Sequence, residues 1–187
     1  MEHQKTISGT RSKKLEGKRI VLAVCGSIAA IESPKIAREL MRHGADIVCV
    51  MSDGAKWIIH PYALQCITGK KTITELTGDC EHVEYCGAHD RRADILLISP
   101  ATANTISKIA NGIDDTPVTT FASTALGSKM PILIAPAMHG SMYENPFVVE
   151  NIAKLAKAGI KFVEPKEEEG KAKLDWEVVA RAVLEAF

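Results

Sequence analysis

The sequence has no excess of either charge: 23 Lys and Arg stand against 23 Asp and Glu in 187 residues. It therefore carries no basic footprint for nucleic acid. It also lacks the repulsion that keeps copies of one chain apart, which is compatible with self-association. No apolar run approaches the roughly 20 residues of a membrane-spanning helix. The opening MEHQKTISGTRSKKLEGKR has charges but no apolar stretch behind them, so it does not read as a secretory signal. The five cysteines, Cys25, Cys49, Cys66, Cys80 and Cys86, form no CxxC pair. An odd number, two of them inside apolar runs, reads as reduced thiols in a cytoplasmic protein. There is no repeat, no low-complexity tract beyond Glu167-Glu168-Glu169, and no GxGxxG dinucleotide fingerprint.

What is present is a globular balance, 46% hydrophobic and 25% charged, sufficient for one buried domain and short for two. Residues 1–17 are polar and basic and read as a flexible arm, with the domain over 18–187. Continuous apolar runs at Arg19–Cys25, Asp46–Met51, Ile95–Ser99 and Pro131–Ala135 predict strands covered on both faces, with a shorter fifth at Ile160–Val163. Helical patterns fill the gaps. One runs to His43-Gly44, one is capped by Ser52 and one follows Pro61. Others span about 102–110 and 117–126, one opens at Asn145-Pro146, and the last starts near Asp175. Trp57, a lone tryptophan, reads as core. Thr68 to Arg92 is the longest candidate loop. Alternating strands and helices imply βαβ crossovers and a mostly parallel α/β sheet, whose ligands bind beyond the carboxyl ends of the strands.

The turns after the strands carry the unusual residues. VCGSIAA (24–30) turns from strand to helix through Gly26 and Ser27, either a place where backbone N–H groups face an anion or an ordinary Ser-capped turn. VMSDGAK (50–56) puts Ser52 at the end of the second strand. SPATANT (99–105) packs small hydroxyl and amide residues behind the third, where Asn104 offers a donor and an acceptor together. PAMHGSMYENP (136–146) holds apolar side chains in a loop that a substrate or a second subunit would cover. In the long loop, His82 beside Glu84 is a candidate acid or base. Cys80, His82, Cys86 and His89 cluster in sequence, but their spacing matches no standard zinc pattern.

In this order, GSIAA, SPATANT, KIANG and PAMHGSMYENP resemble the flavin-containing cysteine decarboxylases over roughly residues 18–175. Among these, the match is to the phosphopantothenoylcysteine decarboxylases, with an archaeal-type PAMH and EEGKAK. The resemblance implies a Rossmann-like, flavodoxin-type three-layer sandwich with FMN bound between subunits of a homotrimer, which can build a homododecamer. It implies FMN contacts from Gly26, Ser27, Ile28, Ser52, Ser99, Ala101, Thr102 and Asn104. It makes His82, in HVEY for the family's HIEL, the catalytic histidine, with His89 as the fallback. His139 stands where the family's PxMNxxMW has an asparagine that holds the substrate carboxylate. Ala137, Met138, Met142 and Lys171 complete the substrate contacts.

The family's flap, ACGDxGxGR, carries a proton-donating cysteine. This chain reads EEEGKAKL there, so Lys171, Lys173 or another group would serve. The implied reaction oxidises the cysteine thiol to a thioaldehyde, which accepts the electrons as carbon dioxide leaves. A phosphopantothenate–cysteine ligase domain or chain is the implied partner. The alternatives on this scaffold are another flavin enzyme (an electron-transfer protein, pterin reductase or flavin prenyltransferase) and a non-catalytic flavin-binding regulatory subunit.

Overall fold

The computed structural model describes residues 6–187. Its centre is a five-stranded parallel sheet. In chain order its strands are β1 (Arg19–Val24), β2 (Asp46–Met51), β3 (Ile95–Ala101), β4 (Ile132–Pro136) and β6 (Lys161–Phe162). They lie side by side as β2-β1-β3-β4-β6. This is the doubly wound, flavodoxin-like order, with its switch point between β1 and β3. Alternate residues face opposite layers. Leu22 and Val24, with Cys49 and Met51, pack under α1 (Ser33–Arg42), α3 (Pro61–Thr68) and α9 (Trp176–Glu185). Val21, Ala23, Leu96 and Ile98 pack under α4 (Glu81–Cys86), α5 (Ala103–Ala110), α6 (Pro117–Gly127) and α8 (Pro146–Lys157). Burial on both faces is why the strands read as unbroken apolar runs. Each fully buried Leu, Ile or Val contributes about 1.5–3 kcal/mol of transfer free energy.

The remaining elements are short. A 3-10 turn, Ile28–Glu32, precedes α1, and α2 (Asp53–Lys56) follows β2. A second sheet orders β5 (Met138–His139), β8 (Lys171–Lys173) and β7 (Lys166–Glu168) as β5-β8-β7, antiparallel throughout. Between β5 and α8 sits α7 (Gly140–Tyr143).

Four readings from sequence change here. Residues 68–92 are not loop throughout, because they contain α4, which packs on α6 with Tyr85 and Phe121 stacked at 6.5 Å. Trp57 is 89% exposed instead of filling the core, because it caps the outer end of a four-residue helix. Ser52 occupies the N-cap position of α2, yet its side chain makes no capping bond. Residues 6–17 of the expected arm lie against α1, with Leu15 fully buried and Arg11 paired to the buried Glu39; residues 1–5 of it lie outside the described residues. No helix among the described residues is long and apolar enough to cross a membrane.

Cys25, Cys49 and Cys86 are buried, while Cys66 and Cys80 are exposed. Burial pushes the thiol of Cys25 up to about 11 and those of Cys49 and Cys86 to about 12. A thiol-reactive chromogenic reagent at pH 8 will label two cysteines quickly and three more only after denaturant is added. Free thiols ionise near 8.5. Below that pH both states hold the proton and the contribution is whole; above it the unfolded chain sheds protons that the fold retains. The melting temperature will therefore fall as pH rises from about 8.5 towards 11, and a flat profile would contradict the burial.

Candidate active site

The carboxyl ends of four strands are joined by main-chain hydrogen bonds. Ser52 N–H donates to Val24 O (3.0 Å), Cys25 N–H to Pro100 O (3.2 Å) and Ala137 N–H to Ala101 O (2.9 Å). Turns far apart in sequence thus lie side by side along one edge, across the switch point, where open α/β sheets bind ligands.

Gly26 sits at the crossing of two of these turns. A Cβ there would lie 2.8 Å from the carbonyl carbon and 2.9 Å from the Cα of Gly54, so the loop after β1 touches the loop after β2 through two glycines. Ser27 caps the 3-10 turn by accepting from Ala29 N–H (3.4 Å). Ile28 beyond it is 73% exposed. On the other side of the switch point, Thr102 caps α5 by accepting from Thr105 N–H (3.3 Å), and Asn104 is exposed in the first turn. Ser99 is completely buried, and its hydroxyl has no hydrogen-bond partner, although its carbonyl accepts from Ser33 Oγ (3.3 Å). A buried hydroxyl without a partner costs about 1–3 kcal/mol. Ala101 and Ala137 are buried and bonded to one another through the backbone, so they set spacing and present no side-chain surface. Beneath the turn, the Cys25 thiol meets Thr105 and Thr102; burial dominates and keeps it protonated, so it is no nucleophile near neutral pH.

The loop after β4 turns outward. Met138 is half-buried, His139 and Met142 are exposed, and β5 pairs His139 with Lys171 and Met138 with Ala172. Gly140 N–H donates to Gly170 O (2.8 Å), and a Cβ on Gly140 would meet that oxygen at 2.6 Å, so this glycine lets the β7–β8 hairpin dock. His139 caps α7. Ser141 N–H donates to its Nδ1 (3.3 Å), and Ser141 Oγ lies 2.9 Å from the same nitrogen. Because a backbone N–H can only donate, Nδ1 is the acceptor and the ring proton sits on Nε2. An asparagine at a helix N-cap has the same arrangement: its carbonyl oxygen caps and its amide faces outward. The histidine therefore keeps an outward donor.

His82 lies in α4, and its Nδ1 is buried without a hydrogen-bond partner. His89 bonds Val83 O through Nε2 (3.0 Å) and shares a cavity with Arg19, the first residue of β1, at the amino edge of the sheet. Cys80, His82, Cys86 and His89 do not converge: among the described residues no group of three or more His, Cys, Asp or Glu could hold a metal ion. Two contributors escaped the sequence reading. Gly54 matters through a contact 28 residues away, and the hairpin docks through a pairing across 30 residues. A local signal for the hairpin existed in the Glu169-Gly170 turn, both residues having positive φ.

Replacing Gly26 with alanine forces the β1 and β2 turns apart. We expect Gly26→Ala to lose about 1–3 kcal/mol in chemical denaturation, as overpacking does. Gly112→Ala, where a Cβ meets nothing within 4 Å, provides the open-space control, with only the smaller cost of its positive φ. Equal losses in the two variants would refute the close approach.

Among known proteins, the chain is 59% identical over 174 residues to the coenzyme A biosynthesis bifunctional protein CoaBC of Thermococcus kodakarensis, covering 93% of this chain and 43% of that one. It spans less than half the length of the bifunctional relatives it matches. A Streptococcus mutans protein named a probable phosphopantothenoylcysteine decarboxylase is 38% identical over 150 residues, 80% of this chain and 83% of that one. Of solved structures, the FMN-dependent cysteine decarboxylase SpaF superposes with a TM-score of 0.76 at 31% identity, covering 92% of this chain and 98% of that one. The Flavoprotein family model matches residues 8–186. The site geometry, the relatives and this match over nearly the whole chain agree: the chain belongs to the flavoprotein family.

Proposed function

We propose that the chain binds FMN and decarboxylates phosphopantothenoylcysteine, giving phosphopantetheine on the route to coenzyme A. The observation that carries this reading is the meeting of four turns at one sheet edge, with the outward Nε2–H of His139 presented at its end. The residues fit the cofactor on physical grounds. The Ser99 hydroxyl is buried and unpartnered at the switch point, and the Gly26–Gly54 contact keeps side chains out of the crevice. Gly26, Ser27, Ile28, Ser52, Ser99, Thr102 and Asn104 would hold FMN, with Ala101 setting their spacing. Bound there, FMN would supply the two-electron oxidation of the substrate thiol that lets carbon dioxide leave, and the return of those electrons.

The chain's own groups hold and orient the substrate. His139 donates from Nε2 to the substrate carboxylate, and Lys171, opposite it across the β5–β8 ladder, adds a cation. Met138 and Met142 shape the pocket wall, which Ala137 anchors to β3 through its backbone. His82 takes the thiol proton; its Nδ1 is buried without a partner, so a substrate or a second subunit's group has a place to bond.

Exposed apolar surface supports self-assembly. Ile28, Ile31, Trp57 and Tyr62 form one set near the β1 and β2 turns, while Ile113, Met142, Phe147 and Val149 form another on α7, α8 and the end of α5. Two different patches meeting head to tail build a ring where the rotation closes, as a homotrimer that can build a dodecamer requires. We place the enzyme in the cytoplasm, next to a phosphopantothenate–cysteine ligase domain or chain.

The purified protein will be yellow with bound FMN and will release carbon dioxide from phosphopantothenoylcysteine. His82→Asn will keep the flavin but lose at least about a hundredfold in turnover, the usual contribution of a positioned acid or base. His139→Asn will stay within a few-fold of wild type, whereas His139→Ala will raise KM. Bound flavin without carbon dioxide release would leave a flavin-binding protein and remove the decarboxylase.

A further inference from the structure

The β5-β8-β7 sheet presents one face to solvent. In an antiparallel ladder, directly opposed residues point to the same side and alternate residues to opposite sides. The register opposes His139 to Lys171, Lys171 to Glu168, and Lys173 to Lys166. His139, Lys171, Lys173, Lys166 and Glu168 therefore share a face. Burial agrees: Lys171, Lys173, Lys166 and His139 are exposed, whereas Ala172 between the lysines is buried. The Nζ atoms of Lys173 and Lys166 approach the same oxygen, Oε2 of Glu168, at 3.1 and 3.5 Å. Two cations thus share one carboxylate, leaving one positive charge to spare.

Lys166 and Lys173 also line a cavity of about 540 Å³ that is lined as well by Ile28 and Ile31 of the 3-10 turn after β1 and by Lys35 of α1. Its other acids are engaged or lie on the rim. Glu32 pairs with Lys35 (2.9 Å), Asp175 caps α9 through the N–H groups of Glu177 and Val178, and Glu177 is exposed in that first helical turn. The cavity is of the size that takes a small ligand. From His139 to Lys173 is one strand spacing and two residues, about 8 Å; to Lys166 it is about 12 Å. The arm between the substrate's carboxylate and its phosphate is about as long as four extended residues, about 14 Å. Lysine side chains easily close the difference.

We propose that Lys166 and Lys173 bind the phosphate of the substrate whose carboxylate His139 and Lys171 hold, so that one face of the small sheet reads both anionic ends. This rests on the decarboxylase reading and adds selectivity for the phosphorylated substrate over the same molecule with a free hydroxyl. A phosphate drawing on both ammonium groups replaces the weak shared contact with Glu168 by charge-assisted hydrogen bonds.

The experiment compares carbon dioxide release from phosphopantothenoylcysteine and from pantothenoylcysteine by the FMN-loaded protein. The wild type will show the lower KM for the phosphorylated compound. Lys166→Gln with Lys173→Gln will raise that KM by about 10- to 30-fold, in the range of one or two charged hydrogen bonds at a surface. The same double variant will leave the KM for pantothenoylcysteine where it was. Lys166→Gln alone, at a residue with no part in the flap's proton transfer, will also leave kcat unchanged, and Lys166→Arg with Lys173→Arg will restore much of the preference. A wild type that treats both compounds alike sinks the phosphate site and leaves the decarboxylase standing. A double variant whose two KM values rise together, or neither of whose values moves, sinks it as well. A wild type inactive on both compounds overturns the decarboxylase reading and this site with it.

Discussion

The parallel hydrogen-bond ladder between β1 and its neighbours β2 and β3 holds the molecule in order. Its register, Ile20 against Ile47 on one side and against Ile95 on the other, brings three strands to their carboxyl ends together. The bonds from Ser52 to Val24, Cys25 to Pro100 and Ala137 to Ala101 extend that alignment into the turns. A register slip of one residue would point every strand side chain at the wrong layer and separate the turns. The buried apolar residues on both faces fix the register, so the core sets the geometry of the site.

The site is correspondingly built from backbone as much as from side chains. Gly26 matters for the Cβ it lacks, Ala101 and Ala137 for a main-chain bond, and Thr102 and Ser27 for capping. The polar side chains that remain, Ser99, Asn104 and His139, are few. A scarcity of polar groups in a crevice is what lets a flat ring enter while a small number of donors fix its orientation. The small sheet sets the hairpin's Lys171 directly opposite His139.

The paired glycines at 26 and 54 and at 140 and 170 serve one physical purpose at two places. In each, backbone meets backbone at a distance that leaves no room for a Cβ on the first glycine, Gly26 or Gly140. One contact joins the turns after β1 and β2, and the other joins the turn after β4 to the C-terminal hairpin. The exposed Ile28 and Trp57 flank the first, and Met142 flanks the second. Apolar side chains left in water beside close-packed turns gain free energy when a ligand or a second copy covers them.

By itself, the sequence determined the alternation of strands and helices, the five-strand parallel sheet and which turns carry the polar residues. These follow from apolar periodicity and from Gly, Pro, Ser and Thr at element ends, all of which act over a few residues. Tertiary structure alone decided the rest. It turned Trp57 outward, anchored residues 6–17 through Leu15 and Glu39, made a helix of Glu81–Cys86 and set Lys171 opposite His139. Each of these depends on a partner tens of residues away, or on the end of a helix too short to bury its last residue. Local propensity has no term for either; only packing and the register of the ladder do.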